Sequence, residues 1–494
     1  MRRLARTAIL WGAVAALVGF APGPAAPGFT PPAALAAEAG AGRVLTLEEG
    51  LRIALERSAG AQVAASRVRQ GEAQLAEAKS VLHPTLVLGG GADRGRSIGT
   101  MGLETRWDFS TTLAYNQVVA RTASIRYAIE QGELGLEVSR LQAESERLAV
   151  LANVVNGYVA VLEAQSALEL SRALARNAEA MARITEDRVT LGAATEADLL
   201  AARAGEARAR QGVKVAEDSV RLAYEALLKT IGLTVEANGR GEPPALQSID
   251  EIAGLFSMDE DWDTLSERAM RARPEILQAE AAVELARAGL LQFEASDRPT
   301  AELTGAYTWV EDDGTATLSF SLNDKGVLGA AITQSRQSPA SAQQQALAMI
   351  TNELWQIGAK VTWTFADGGA SDSRRKQLAE QVRQAELRLE DARRGLLTAL
   401  AAQYNEVVHA IQELSIAEQS VLEARARYDA TVKQFEAGTS TQVEVWQAEA
   451  QLVRARHERV LAVGRLARAY TALTTGTGIT ADEWVGRVAR AAAR

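Results

Sequence analysis

Only three imidazoles, His83, His409 and His457, occur in 494 residues, and there is no cysteine. Imidazole and thiolate are the groups most able to ligate a metal or attack a substrate, so their spacing is the first thing to read. His83 stands directly before Pro84, and His409 and His457 have no second imidazole or thiolate at i+3 or i+4 to share a helix face. The lack of thiols removes disulfides, Cys–zinc sites and Cys nucleophiles together. Gly89-Gly-Gly-Ala-Asp-Arg-Gly95 is glycine-rich but fails phosphate-loop spacing and opens no helix. Acid–base pairs abound, as in Arg374–Arg394, but at the i,i+4 spacing of solvated helix faces. No nucleophile–base constellation stands out. The sequence predicts no enzyme, no cofactor and no metal site.

Composition narrows the class further. Arg2, Arg3 and Arg6 precede an apolar run, Ala8–Phe20, too short to span a bilayer. A Pro/Ala-rich stretch follows, ending in Ala34-Leu35-Ala36, so residues 1–36 read as an export signal cut before Ala37. Of 53 basic residues three fall in that segment, leaving 50 against 62 acidic ones and a formal charge of −12. Such acidity argues against a nucleic-acid partner. No later window holds about 18 uninterrupted apolar residues, so no transmembrane helix is expected. Aromatics are few, and alanine with Glu, Gln, Arg and Leu dominates, the mixture of long thin helices.

An internal duplication organises the chain. With Tyr158 placed over Tyr404, Gly192 falls on Gly438, Tyr224 on Tyr470 and Gly232 on Gly478 without a gap. Upstream, Pro84-Thr85 falls on Pro299-Thr300, and Trp107-Asp-Phe109 on Trp363-Thr-Phe365. The blocks keep their order, so one unit is used twice. We place the first repeat at 37–235, a linker at 236–262, the second repeat at 263–478 and a C-terminal tail at 479–494.

Each unit reads helix, strands, very long helix, turn, helix. The first helices are expected at 46–82 and 264–297, opening on Thr46 with Glu49 and on Thr264 with Glu267 as capping boxes. Pro84 and Pro299 end them. Strands follow at about 84–110 and 299–365, with an insertion at 323–357. Ala301, Leu303, Tyr307 and Trp309 alternate with Thr300, Glu302, Thr304 and Thr308; Val361, Trp363 and Phe365 alternate with Lys360, Thr362 and Thr364. Residues 85–92 make a weaker strand, diluted by glycines. The helices at 110–190 and 371–436 would run on the order of 100–120 Å, too long for one globular core. They turn at Gly192 and Gly438.

Amphipathic strands in an exported protein fit a membrane barrel, which needs about 9–11 residues per strand and carries aromatic girdles. Trp107, Phe109, Tyr307, Trp309, Trp363 and Phe365 would supply those girdles. Helices on one side of the membrane require an even strand count per unit. The first repeat offers two strands; the second offers three, with either one outside the barrel or a fourth within Val327–Thr333. A soluble sheet capping a coiled coil is the alternative.

At this point the chain resembles the TolC-type outer-membrane efflux proteins over nearly all of its mature length. The resemblance rests on the duplication, on the tips Arg188–Arg203 and Phe435–Ala448, and on the strand-to-helix junction Trp363-Thr-Phe-Ala-Asp-Gly-Gly369. It implies a mainly α fold with a membrane β-barrel portion: antiparallel helical hairpins form an α-barrel tunnel, and four strands from each chain of a homotrimer form a 12-stranded barrel in outer-membrane lipid. It implies a passive exit duct for efflux or secretion, docked at the hairpin tips (Leu191, Gly192, Thr195, Gly438, Thr439, Thr441) to a periplasmic adaptor and through it to an inner-membrane pump. It also places a periplasmic gate at Asp198, Phe435, Ser440, Glu444 and Gln447. Phe435 lacks a hydroxyl and Ser440 a charge, so the family's latch must be drawn differently here. Asp198 and Glu444 would form an acidic, cation-favouring ring, or would simply cap helices. The alternatives are an exported coiled-coil scaffold or an adaptor-like protein without a barrel.

Overall fold

The computed structural model describes residues 44–99, 102–233, 245–256, 260–311, 314–337, 353–364 and 366–492. The expected signal segment, residues 236–244 and 257–259 of the linker, residues 338–352 of the expected insertion and Phe365 lie outside them. In chain order the elements are α1 (Leu47–Arg57), α2 (Ala59–Ser80), β1 (Thr85–Gly99), β2 (Gly102–Val118), α3 (Ala123–Thr190), α4 (Glu196–Ile231) and α5 (Ile249–Ala253). The second half holds α6 (Trp262–Ala272), α7 (Pro274–Ser296), β3 (Thr300–Glu311), β4 (Gly314–Asn323), β5 (Val327–Gln337), β6 (Glu353–Thr362), α8 (Ala370–Glu436), α9 (Gln442–Gly476) and α10 (Ala481–Ala492).

Both expected first helices are broken in two. Ser58 interrupts the first: it ends α1 and its buried hydroxyl accepts the Ala61 amide, capping α2. Arg273 and Pro274 interrupt the second, with proline at the first helical position, where its missing N–H costs nothing. Each break receives a glycine from the end of its repeat. Gly232 (φ +86°) lies against Arg57 O and Gly478 (φ +77°) against the Ala272–Arg273 peptide; a Cβ at either would come within 2.6 Å of that backbone. The two sites are related by the shifts read in the sequence, so the repeat is structural as well. Thr46 does cap α1, through the Glu49 amide at 3.2 Å. Thr264 does not cap α6: Asp261 holds that place and Thr264 falls inside the first turn.

The long helices have 68 and 67 residues, about 100 Å each. On the half nearer the sheet, α2, α3, α7 and α8 lie side by side; on the other half the row is α4, α3, α9, α8. Bonds along the row include Gln131–Gln292 (2.8 Å, α3–α7), Arg393–Glu280 (2.7 Å, α8–α7), Arg176–Glu449 (3.1 Å, α3–α9) and Arg468–Glu163 (2.6 Å, α9–α3). Arg393 thus links two helices where solvated i,i+4 pairing was expected, although Arg394–Glu390 is such a pair.

Large buried side chains concentrate at the waist, midway along α3. Leu151, Val154 and Tyr158 meet Leu227 and Ile231 of α4 there, with Leu51 of α1, Leu400 of α8 and Leu473 of α9 in the same core. The expected C-terminal tail is the helix α10, which buries Trp484 in this core. An apolar stretch of α3 has the length and composition to cross a membrane, but half of it is buried in the protein. Away from the waist the contacts are made by alanines such as Ala143, Ala182, Ala216 and Ala455, which let helix backbones approach closely.

The strands form one six-stranded antiparallel sheet in the order β1-β2-β5-β4-β3-β6. Of the two readings left open for the second repeat, the fourth strand within Val327–Thr333 is the one found, as β5. Among the described residues that repeat therefore gives four strands and the chain six, against the four per chain that the resemblance implies. Residues 85–99 are a full strand despite Gly89–Gly91, because β2 pairs along all of it. Trp363 lies just beyond the end of β6.

Candidate functional site: the hairpin tips and the two-faced sheet

The two tips are near copies. In the first, α3 is followed by Leu191 as its C-cap, Gly192 takes φ +72° and donates to Val189 O, and Ala193 donates to Arg188 O. In the second, Gly438 takes φ +73° and donates to Phe435 O, while Thr439 donates to Gln434 O. A left-handed residue after the last turn is what lets the chain reverse, and glycine adopts it without a Cβ clash.

Each turn is followed by a reciprocal cap. Thr195 Oγ1 accepts the Asp198 amide at 3.2 Å, and Asp198 Oδ2 accepts the Thr195 amide and hydroxyl at 2.9 and 2.7 Å. Thr441 Oγ1 accepts the Glu444 amide at 3.4 Å, and Glu444 Oε2 accepts the Thr441 amide and the Ser440 hydroxyl, both at 2.8 Å. These bonds favour the charged carboxylates. Hydrogen bonds from Thr195 hold Asp198 below its ordinary range, and those from Thr441 and Ser440 do the same for Glu444. Within one chain both carboxylates therefore act as helix caps. Ser440, expected at a latch between chains, is spent on Glu444 of its own turn.

Phe435, Gln447, Asp198 and Glu444 are exposed, and Leu191 is exposed to 81% at the very end. Thr439 closes its turn through Oγ1 to Gln434 O. The strand-to-helix junction is tied separately: Asp367 accepts amides of Gly369 at 2.9 Å and Ser371 at 2.6 Å, ahead of α8. The Ser371 hydroxyl and these amides lower the Asp367 pKa to about 2. Sequence reading matched the junction as a motif but assigned Asp367 no task; an Asp two residues before a helix-opening glycine was the signal. Of the histidines, His457 meets the Ser166 hydroxyl at 3.2 Å, and among the described residues no group of three or more metal-ligating side chains gathers.

The register of the sheet sorts its side chains, since directly paired residues share a face. One row reads Leu88, Leu113, Ile332, Leu318, Tyr307, Trp355 across all six strands, and the next on that face reads Leu86, Tyr115, Ala330, Phe320, Gly305, Ile357. Trp355 and Ile357 are 75% and 73% exposed. On the opposite face one row reads Gly89, Thr112, Thr333, Thr317, Thr308, Leu354 and another Thr85, Asn116, Gly329, Ser321, Thr304, Gly358. Thr112 bonds Thr333 at 3.1 Å and Thr308 bonds Thr317 at 3.0 Å. The apolar face carries Trp107 stacked on Phe109 and Tyr307 beside Trp309, with Arg94 over the Trp107 ring. A soluble sheet would bury such an apolar face against a core. Here it is bare, and its partner face is small and polar, the pattern of a wall between lipid and water.

Comparison with known proteins agrees. The model of the family described as outer membrane efflux protein matches residues 50–233 and 265–478, one block per repeat. The pyoverdine export outer membrane protein OpmQ of Pseudomonas putida is 24% identical over 50% of this chain and 54% of its own, so the match spans about half of that relative. Outer membrane protein TolC of Escherichia coli is 23% identical over 77% of this chain and 72% of its own. Among solved structures, the Campylobacter jejuni CmeC outer membrane channel superimposes with a TM-score of 0.64 at 15% identity, covering 90% of this chain and 89% of that one. With both repeats matched and the same architecture in a solved outer membrane channel, the chain belongs to the outer membrane efflux protein family.

Proposed function

We propose that this outer-membrane channel protein works as the exit duct of a tripartite efflux or secretion system, as a homotrimer. The observation that carries the reading is the joining of a two-faced sheet to helices about 100 Å long. A sheet edge left open in lipid is costly, because each unpaired backbone group there costs several kcal/mol. Ile416 and Leu422 on α8, with Val215 and Leu222 on α4, leave apolar side chains bare along the two edges of the helix row. Neighbouring copies would cover both. The chain supplies a path and no chemistry, so the energy must come from a pump reached through an adaptor.

The tips are the adaptor-docking surface in this reading, presented by Leu191, Gly192 and Thr195 on one hairpin and Gly438, Thr439 and Thr441 on the other. The entrance lies among Asp198, Phe435, Ser440, Glu444 and Gln447. Because Asp198 and Glu444 are held charged by their caps, a ring of them stays anionic well into acid and favours cations. Trp107, Phe109, Tyr307, Trp309 and Trp363 would sit at the membrane interfaces. The test is fractionation followed by planar-bilayer recording. A heat-modifiable trimer in the outer membrane, with cation-selective conductance that weakens in Asp198→Asn/Glu444→Gln, supports the reading; a soluble monomer ends it.

A further inference from the structure

The wall of the pore is set by how many strands each chain contributes, and the sheet gives an unusual answer. The β4–β5 hairpin stands between β2 and β3. Without it, β2 and β3 would meet as an antiparallel pair and leave the four-stranded arrangement that the resemblance implies. With it, β1 and β6 remain the edges and run antiparallel to each other, since six alternating strands separate them by an odd number of reversals.

We infer that the β4–β5 hairpin is built into the membrane wall, so that β1 of one copy pairs with β6 of the next and the trimer proposed above closes an 18-stranded barrel rather than a 12-stranded one. The inference rests on that trimer for its copy number, but not for the six strands per chain.

Three observations support it. First, the hairpin has the same two faces as its neighbours: Leu318, Phe320, Leu328 and Ile332 continue the apolar rows, and Thr317, Ser319, Ser321 and Thr333 continue the polar ones. A hairpin lying outside the wall would have no reason to keep both in register. Second, β4 and β5 have 10 and 11 residues, the length that crosses a bilayer at a tilt of about 45°. Third, the arcs agree. Four helices abreast at about 8–10 Å spacing occupy about 32–40 Å of circumference per chain. Strands about 4.8 Å apart and tilted about 35–45° take about 6–7 Å each, so six occupy about 35–41 Å and four only about 23–27 Å. Six strands let sheet and helices close at the same radius without a flare. Three copies then give a barrel about 34–39 Å across at the backbone, against about 22–26 Å for 12 strands.

The consequence for transport is an exit that does not select by size. Its inner face is mainly Thr, Ser and Gly; among the described side chains its charges are Glu302, paired in register to Lys360, and Asp93 on β1, so it would select only weakly by charge. Discrimination is left to the hairpin tips and to the pump.

The absence of cysteine makes the test clean. Single substitutions Leu318→Cys, Phe320→Cys, Ser319→Cys, Ser321→Cys and Thr333→Cys are labelled on whole cells with a membrane-impermeant maleimide, with Leu113→Cys and Thr112→Cys in β2 as the reference pair. A thiol held in apolar surroundings ionises poorly, so Leu318→Cys and Phe320→Cys should react about tenfold or more slowly than Ser319→Cys and Ser321→Cys, as Leu113→Cys should against Thr112→Cys. Equal labelling on both faces of β4 with alternation kept in β2 overturns the inserted hairpin while sparing the barrel. Loss of alternation in β2 as well overturns the barrel itself. The edges are tested by Leu88→Cys combined with Trp355→Cys or Ile357→Cys. Oxidation should give a denaturant-resistant ladder that ends at three copies. A ladder ending at two overturns the 18-stranded count, and failure of every edge pair to cross-link overturns β1–β6 closure.

Discussion

Tyr158 and Tyr404 are the residues that align the two repeats, yet the structure gives them different work, and replacing each by phenylalanine separates the two. The Tyr158 hydroxyl is wholly buried, donates to Leu45 O at 2.7 Å and accepts the Gln247 amide at 2.8 Å. It thereby ties α3 to two passing segments that also bridge each other at Leu45 and Leu246. Burial raises its pKa well above the usual tyrosine range, so it stays a neutral donor. Tyr158→Phe removes both bonds and leaves a carbonyl and an amide short of a partner. At about 1–3 kcal/mol for each such group, and allowing for partial relaxation, the cost is about 2–4 kcal/mol. Tyr404 instead sets its ring edge-on to Trp262 at 5.6 Å, a contact phenylalanine keeps, so Tyr404→Phe should cost less than about 1 kcal/mol. Hydrogen exchange on the detergent-solubilised protein reads this directly: the Gln247 amide should exchange about 30- to 900-fold faster in Tyr158→Phe, from about 1.4 kcal/mol per tenfold. Equal effects of the two substitutions, or an unchanged Gln247 amide, would refute the claim that the waist is pinned by this hydroxyl.

The remaining expectations concern turns, caps and one carboxylate. Gly232→Ala and Gly478→Ala force a Cβ into backbone at 2.6 Å as well as straining a positive φ, and should abolish recovery of folded protein; Gly192→Ala and Gly438→Ala face open space and should cost only the left-handed penalty of about 1–2 kcal/mol, read as a small loss of thermal stability. Thr195→Ala and Thr441→Ala each remove a cap worth about 0.5–2 kcal/mol, so the Asp198 and Glu444 amides should exchange about 2- to 30-fold faster while the waist is unchanged. For Asp367 the folded pKa is depressed to about 2 from the ordinary aspartate value of 3.8. Its contribution is therefore present above about pH 4 and lost as pH falls towards 2, and Asp367→Asn should remove that acid-dependent loss of protection at the Gly369 and Ser371 amides.

Periodicity and spacing carried much of this protein. The alternation along β3 and β4 and the glycines at both tips depend only on residues within a few positions of each other, so the sequence contains the whole cause. Local signals also misled where a competing residue was present. Ser58 capped a second helix inside what looked like one, and Asp261 displaced Thr264 as the start of α6. The tip carboxylates were equally readable as an acidic ring or as caps, and only bond geometry made them caps within one chain.

By itself, then, the sequence determined the duplication, the two long hairpins, the turn chemistry and the apolar or polar character of each strand face, because these follow from residue type at short range. Tertiary structure alone decided how many strands belong to the sheet, which strands lie at its edges, and which of two aligned tyrosines is buried with two bonds. Strand order joins segments far apart in the chain, as when β2 pairs with β5 more than 200 residues later. A glycine-diluted strand such as β1 becomes regular only when a full-length partner supplies its hydrogen bonds.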